Sequence, residues 1–192
     1  MNKGNHLLGE IEITRENLIF ENQYIRIHND DVVFPSGTQG TYLRVSPTES
    51  GSVCILPVTK EGKLVLIRTF RHAVRGWGYE APKGGTLTNE AFTDAAAREL
   101  LEETGLICES LEEIGVFTES PAVFTGKMRC YIAYGCRSAE NASPESTEAI
   151  AGTREFSPED YLSDESEDFI DAMTQLMVYK YIERKYRLCP KD

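Results

Sequence analysis

The chain has 192 residues, 41% of them hydrophobic and 27% charged, enough for one generous domain or a main domain with a small appendage and too apolar for wholesale disorder. With 20 Lys and Arg against 31 Asp and Glu, the net charge is −11; such a surface repels phosphate backbones and excludes nucleic acid as a main partner, though a bound cation would still admit small phosphates. No apolar run approaches the roughly 20 residues that span a bilayer, and residues 1–14 carry neither the basic region nor the apolar core of an export signal, so no membrane partner is expected.

Five cysteines (Cys54, Cys108, Cys130, Cys136, Cys189) include no CxxC pair, a pattern of reduced thiols that points to the cytoplasm. Only three histidines are present and none lies near a cysteine pair, which argues against zinc.

In chain order, residues 24–28 and 31–34 alternate as strands, with Asn29-Asp30 between them as a turn signal. Residues 41–45 alternate again, and the whole reads as a small antiparallel subdomain over 1–50. Residues 52–58 and 63–70 are near-continuous in Val, Ile and Leu and flank Thr59-Lys60-Glu61-Gly62. They predict a hairpin of strands buried on both faces. A short strand follows over 77–81.

The period then changes. Asn89 is the expected cap of a helix over 90–104, and Gly105 its stop. Strand patterns return over 111–118 and 128–136, followed by a long polar loop over 137–152. Phe169, Ile170, Met173, Leu176, Met177 and Ile182 recur at helical spacing, predicting a terminal amphipathic helix. The acidic stretch 155–171 reads as its solvated start or as a partner site.

The informative segment runs from Gly84 to Leu106. On a helix, Glu99 and Glu103 share a face with Glu102 within one turn, which brings three carboxylates within reach of one or two hard divalent cations. A solvated acidic face is the plain alternative. The context favours the site, because Ala95-Ala96-Ala97 lets the helix approach a sheet and Leu100 and Leu101 supply packing. Arg98 lies two turns beyond Glu90 and is placed to brace the helix start.

Gly84, Glu90, Arg98, Glu99, Leu100, Glu102, Glu103, Gly105 and Leu106 fill all nine specified positions of the Nudix box. At average residue usage, a chance match in a chain of this length has odds of roughly one in ten million. The chain resembles the Nudix hydrolases. That resemblance implies an α/β fold, an α/β/α sandwich with a mixed sheet, occupying residues 51–192 behind the N-terminal subdomain. It also implies hydrolysis of a nucleoside diphosphate linked to a second moiety.

By resemblance, Glu99, Glu102 and Glu103 are metal ligands, Glu90 and Arg98 the bracing pair, and Gly84 and Gly105 the turn glycines. Lys83 takes the position whose backbone carbonyl often binds metal in relatives.

Over about residues 17–186 the chain looks like the ADP-ribose and nucleoside-diphosphate-sugar pyrophosphatases. The Arg-Thr-Phe-Arg run (68–71), Gly-Tyr-Glu-Ala-Pro (78–82) and Pro121 carry this likeness. It implies that Arg71 binds phosphate and that Glu80 lies near substrate and metals, although a plain Arg71–Glu80 salt bridge is the alternative. Trp77, Phe70 and Tyr79 are either base-stacking groups or core. The group's N-terminal sheet usually builds a homodimer.

One departure stands out. The group commonly has Pro-Ala-Gly where this chain has Pro82-Lys83-Gly84, a form more familiar from enzymes acting on dinucleoside polyphosphates and diphosphoinositols.

The expected cofactor is Mg²⁺, with Mn²⁺ as the substitute, held by Glu99, Glu102 and Glu103 to neutralise pyrophosphate and lower the pKa of the attacking water. In-line attack then gives a nucleoside monophosphate and a sugar phosphate, with no covalent intermediate. By resemblance the general base lies on the long loop, as Glu148 or Glu145. Two other readings remain. One keeps the chemistry and shifts the substrate to dinucleoside polyphosphates or nucleoside triphosphates. The other is a non-catalytic ligand sensor, opposed by the complete box.

Overall fold

The computed structural model describes residues 2–48, 51–139 and 149–188. The chain divides into two compact units, one comprising Met1–Gly51 with Thr118–Lys127 and the other Ser52–Phe117 with Met128–Asp192.

The first unit is an antiparallel sheet of β1 (Glu12–Arg15), β2 (Leu18–Glu21), β3 (Ile25–Val33) and β4 (Gln39–Pro47). β3 pairs with β4 along its whole length, from Ile25↔Pro47 to Val33↔Gln39. β1 and β2 share its other edge in succession. The turn expected at Asn29-Asp30 does not form, and both residues continue β3.

A buried ion pair overrides the local signal. Asp30 is only 2% exposed; its carboxylate accepts from Arg44 Nε at 2.9 Å and from the Asn17 N–H at 3.1 Å. Residues 118–127 join this sheet at Val45, whose N–H donates to the Val123 carbonyl at 2.8 Å and whose carbonyl accepts from Thr125 at 2.9 Å. Pro121 lines a cavity of about 430 Å³ within this unit, together with Val32, Leu43, Arg44 and Phe124.

The second unit is built on β5 (Ser52–Thr59), β6 (Leu64–Arg71), β7 (Gly76–Glu80), β8 (Lys83–Gly85), α1 (Phe92–Thr104), β9 (Leu106–Ile107), β10 (Ser110–Phe117), β11 (Met128–Ser138), β12 (Ile150–Phe156), α2 (Pro158–Ser163) and α3 (Ala172–Leu188). The sheet order is β10-β11-β5-β6-β12, with β11 and β5 parallel and the other neighbours antiparallel.

Side chains of β5 alternate between two apolar layers, following the two-residue period of a strand. Cys54, Leu56 and Val58 pack with Met173, Met177 and Val178 of α3. Val53 and Ile55 pack with Ala95, Ala96 and Leu100 of α1. Helix, mixed sheet and helix therefore form the expected sandwich.

β5 and β6 join only at Val58↔Leu64, beside their hairpin turn, and then part. β8 takes the vacated edge of β5, from Ser52↔Gly85 to Cys54↔Lys83. β7 takes that of β6, from Ile67↔Glu80 to Arg71↔Gly76. Residues 81–82 cross between the two, with the Pro82 carbonyl accepting from Ile55 at 2.9 Å.

Helix boundaries differ from expectation at two places. α1 begins at Phe92 with Ala91 as its cap, and Asn89 takes a left-handed φ of 63° instead of capping. Glu90 does the bracing, accepting from the Leu87 N–H at 2.8 Å. Gly105 does stop the helix in the left-handed conformation. Phe169 and Ile170 precede α3, while part of the acidic stretch folds into α2, capped by Ser157 with Pro158 in its first turn.

Removing one partner of a buried pair strands the other charge. Arg44→Met is expected to destabilise the N-terminal unit by about 3 kcal/mol, read as a lowered urea midpoint at unchanged secondary structure.

Candidate active site

α1 presents its carboxylates unequally. Glu99 and Glu103 are buried, whereas Glu102 is about one-third exposed. Arg98, at the middle of the helix, organises the carboxylates on either side of it. Its Nε and Nη2 donate to Glu90 at 2.8 and 2.9 Å, and Nη2 also to the Gly85 carbonyl at 2.9 Å. Its Nη1 donates to Glu99 at 2.7 Å and to Glu102 at 2.9 Å.

The hydrogen bonds from Arg98, with that from Leu87, hold the Glu90 carboxyl down at about 2. The Arg98 guanidinium is correspondingly held above its ordinary value, chiefly by Glu90. Gly84 is needed beside Glu99, since a Cβ there would overlap both carboxylate oxygens.

The donor chemistry fits a hard divalent cation. All three side chains are oxygen donors, and a positive group, Arg98 Nη1, already sits between two of them. Among the described residues no three carboxylate, cysteine or histidine side chains form a ready-made metal-binding group. A cation held there would compete with Arg98 for Glu99 and Glu102, while Glu90 and Gly85 could retain the rest of the guanidinium.

The Lys83 N–H donates to Glu103 Oε2 at 3.2 Å, tying β8 to α1. The Lys83 side chain turns the other way, its Nζ lying 2.9 Å from Glu80 Oε2 and 3.1 Å from Asp171 Oδ1. Burial disfavours the ammonium, but Asp171 and Glu80 outweigh it and hold the Lys83 pKa above its ordinary value. Asp171 is likewise disfavoured by burial, yet held low by Lys83 and by hydrogen bonds from Thr174.

Arg71 meets Glu80 through both Nε and Nη2, at 3.0 and 2.6 Å. The Glu80 side chain is 2% exposed and that of Arg71 39%, so a buried carboxylate anchors a guanidinium that reaches the surface. Phe70 and Trp77 pack edge to face, with Arg68 over the Trp77 ring. Tyr79 packs edge to face on Phe156.

The structure thus sets Lys83, Gly84, Glu90, Arg98, Glu99, Glu102 and Glu103 along α1, from the residues before its start to its last turn, and joins Arg71 and Glu80 to them through Lys83. Gly105 follows the last of these carboxylates by two residues and stops the helix. Glu145 and Glu148 lie outside the described residues.

Asp171 and Thr174 were not singled out from sequence as members of this network. The signal available was the Asp-x-x-Thr spacing at the start of the terminal helix, because the Thr174 N–H donates to Asp171 at 2.9 Å as a helix cap.

Residues 49–177 match the NUDIX domain family. The chain belongs to this family, and its class is that of the Nudix pyrophosphohydrolases. An ADP-ribose pyrophosphatase of Bacillus subtilis (strain 168) is 29% identical over 182 residues, 94% of this chain and 96% of that relative. A methanol dehydrogenase activator of Bacillus methanolicus is 32% identical over 125 residues, 65% of this chain and 66% of the relative. The ADP compounds hydrolase NudE of Escherichia coli (strain K12) is 29% identical over 122 residues, 64% of this chain and 62% of the relative. The chain therefore spans slightly under two thirds of the last two. A crystal structure of an ADP compounds hydrolase superposes with a TM-score of 0.75 at 21% identity, covering 95% of this chain and 97% of that one. It bears out the fold.

The lowered Glu90 pKa gives the helix brace a pH signature. Its folded value of about 2 lies below the ordinary 4.5, so the charged brace stabilises the fold above pH 4.5 and loses that effect as pH falls toward 2. Melting temperatures of wild type and Glu90→Gln are expected to differ at neutral pH and to converge on acidification.

Proposed function

We propose that this protein hydrolyses the pyrophosphate bond of ADP-ribose or a related nucleoside diphosphate sugar, releasing a nucleoside monophosphate and a sugar phosphate. The observation that carries this reading is the match to the Bacillus subtilis ADP-ribose pyrophosphatase along 94% of the chain, which takes in the N-terminal sheet as well as the box. The Lys83 geometry supports it. The departure from Pro-Ala-Gly points a lysine at Glu80 and Asp171, so the changed residue is bound up inside the protein.

In this mechanism Glu99, Glu102 and Glu103 would hold Mg²⁺, or Mn²⁺ in its place, with the Lys83 backbone beside them. A cation held there would supply charge to neutralise the pyrophosphate and lower the pKa of the attacking water. Arg98 and Glu90 keep the helix carboxylates in register. Arg71, anchored by Glu80, offers its guanidinium to a phosphate. Water oxygen bonds to one phosphorus as the bridging P–O bond breaks, and the departing phosphate keeps the electron pair. Glu148, with Glu145 as the alternative, receives the proton.

The protein acts in the cytoplasm as a homodimer built through residues 1–50, with 51–192 as the catalytic domain apart from residues 118–127, which join the N-terminal sheet. Leu18, Ile19 and Phe20, about half exposed on β2, supply apolar surface for that pairing. No described helix is long and apolar enough to cross a membrane. A second reading, hydrolysis of dinucleoside polyphosphates or nucleoside triphosphates, draws on Pro82-Lys83-Gly84 at the entrance to the box.

The test is a substrate panel with Mg²⁺, products identified by mass. ADP-ribose is expected to yield AMP and ribose 5-phosphate faster than a diadenosine polyphosphate is cut. Glu103→Gln is expected to lower turnover at least about 100-fold, and Glu148→Gln about 100-fold. Faster cleavage of the diadenosine compound would replace the main reading with the second, and a fully active Glu148→Gln would transfer the base role to Glu145.

A further inference from the structure

The segment leading into α3 is fastened along β7 and to its neighbour β6. Glu167 receives both Nε and Nη2 of Arg68 at 3.0 Å. Asp168 exchanges two hydrogen bonds with Trp77, its N–H donating to the Trp77 carbonyl at 3.0 Å and its carboxylate accepting from the Trp77 N–H at 2.9 Å. Phe169 lies against Gly78, where a Cβ would stand 2.7 Å from the ring. The two glycines of β7 are therefore there for fit: a Cβ on Gly76 would meet Asp168 at 2.6 Å.

This strap ends at Asp171, whose two oxygens divide their work. Oδ2 accepts from the Thr174 N–H and hydroxyl at 2.9 and 2.6 Å, and Oδ1 takes the Lys83 ammonium at 3.1 Å. The Thr174 hydroxyl in turn accepts from the Ala81 N–H at 2.9 Å. Residues 80–83, which cross the gap between β5 and β6, are thus held at Glu80, Ala81 and Lys83, and two of those holds come from Asp171, just before α3, and Thr174 in its first turn. The last residue of the crossing donates its N–H to Glu103.

We propose that Asp171 is a positioning residue for the hydrolysis: seated by the strap on β7, it fixes Lys83 and so sets the backbone N–H that orients the Glu103 carboxylate. Neither Asp171 nor the Lys83 ammonium touches substrate. The strap acts on the site through backbone placement, and Lys83 serves as a strut between two carboxylates. The inference rests on reading Glu103 as a cation ligand.

The test compares Asp171→Asn, Lys83→Met, their double variant and Gly78→Ala with wild type. Each is measured three ways, by melting temperature, by Mn²⁺ affinity of the substrate-free protein from electron paramagnetic resonance, and by kcat and KM on ADP-ribose well below the melting temperature. Asp171→Asn is expected to weaken Mn²⁺ binding about ten-fold and to lower kcat about ten-fold with KM within about two-fold. Gly78→Ala, which alters no charge, is expected to shift both in the same direction. The double variant is expected to lose no more than Asp171→Asn alone, since the two act as one unit.

Lower melting temperatures with unchanged Mn²⁺ affinity and kcat would overturn the proposal and leave the network purely structural. A raised KM in Lys83→Met alone would overturn it by making Lys83 a substrate contact. If wild type leaves ADP-ribose intact, the activity reading fails separately, and the Mn²⁺ affinities alone decide the role of Asp171.

Discussion

The Lys83 ammonium lies mostly out of water between Glu80 and Asp171, and much of the site follows from keeping it there. Taking an ion out of water costs several kcal/mol, and nearby opposite charges recover this only when their geometry is good. Here the two carboxylates come from different places, the end of β7 and the residue before α3. Each needs support of its own. Glu80 has the Arg71 guanidinium and Asp171 has the capping bonds from Thr174. A single buried charge thereby ties two strands and the terminal helix to the loop that opens the box.

The parting of β5 and β6 is what creates room for this arrangement. Had the hairpin continued as a regular ladder beyond Val58↔Leu64, residues 80–83 would have no edge on which to form bonds. Because the strands separate, β7 and β8 satisfy the exposed backbone groups on either side. The crossing between them carries Pro82 and Lys83 to the end of α1. The sheet's two faces are then closed by helices, which present small alanines from α1 and methionines from α3.

Along α1 the physical problem is like-charge repulsion. Glu90, Glu99 and Glu102 all find Arg98, which spreads one positive group over three negative ones. Glu103 instead accepts a backbone N–H from Lys83. Glu99 and Glu103 are buried, and Glu102, about one-third exposed, is the one of the three that water reaches most. The bare Cα of Gly84 leaves space for Glu99, which makes a glycine the only residue that fits beside that carboxylate without displacing it.

Much of this was legible in the residues themselves. The spacing of Glu99, Glu102 and Glu103, the Glu90–Arg98 brace, the stop at Gly105 and the hairpin at residues 59–62 all rest on local periodicity or on contacts within about two turns of one helix, so a linear pattern records them. The turn expected at Asn29-Asp30 shows the opposite case: its signal was sound locally, but Asp30 found Arg44 across the sheet and stayed in strand. Asn29 and Asp30 have ordinary turn chemistry, and only a distant partner cancels it. Asp171 was hidden for the same reason, reading as one more acid in a solvated stretch although it closes a network with a lysine 88 residues earlier. Sequence alone determined the family's box, the carboxylate face and the alternation that builds the sheet, because each repeats at a short fixed period. Tertiary structure decided which carboxylates are buried, what Lys83 faces and where the strands part, because burial and long-range charge pairing depend on groups that meet only when the chain has folded.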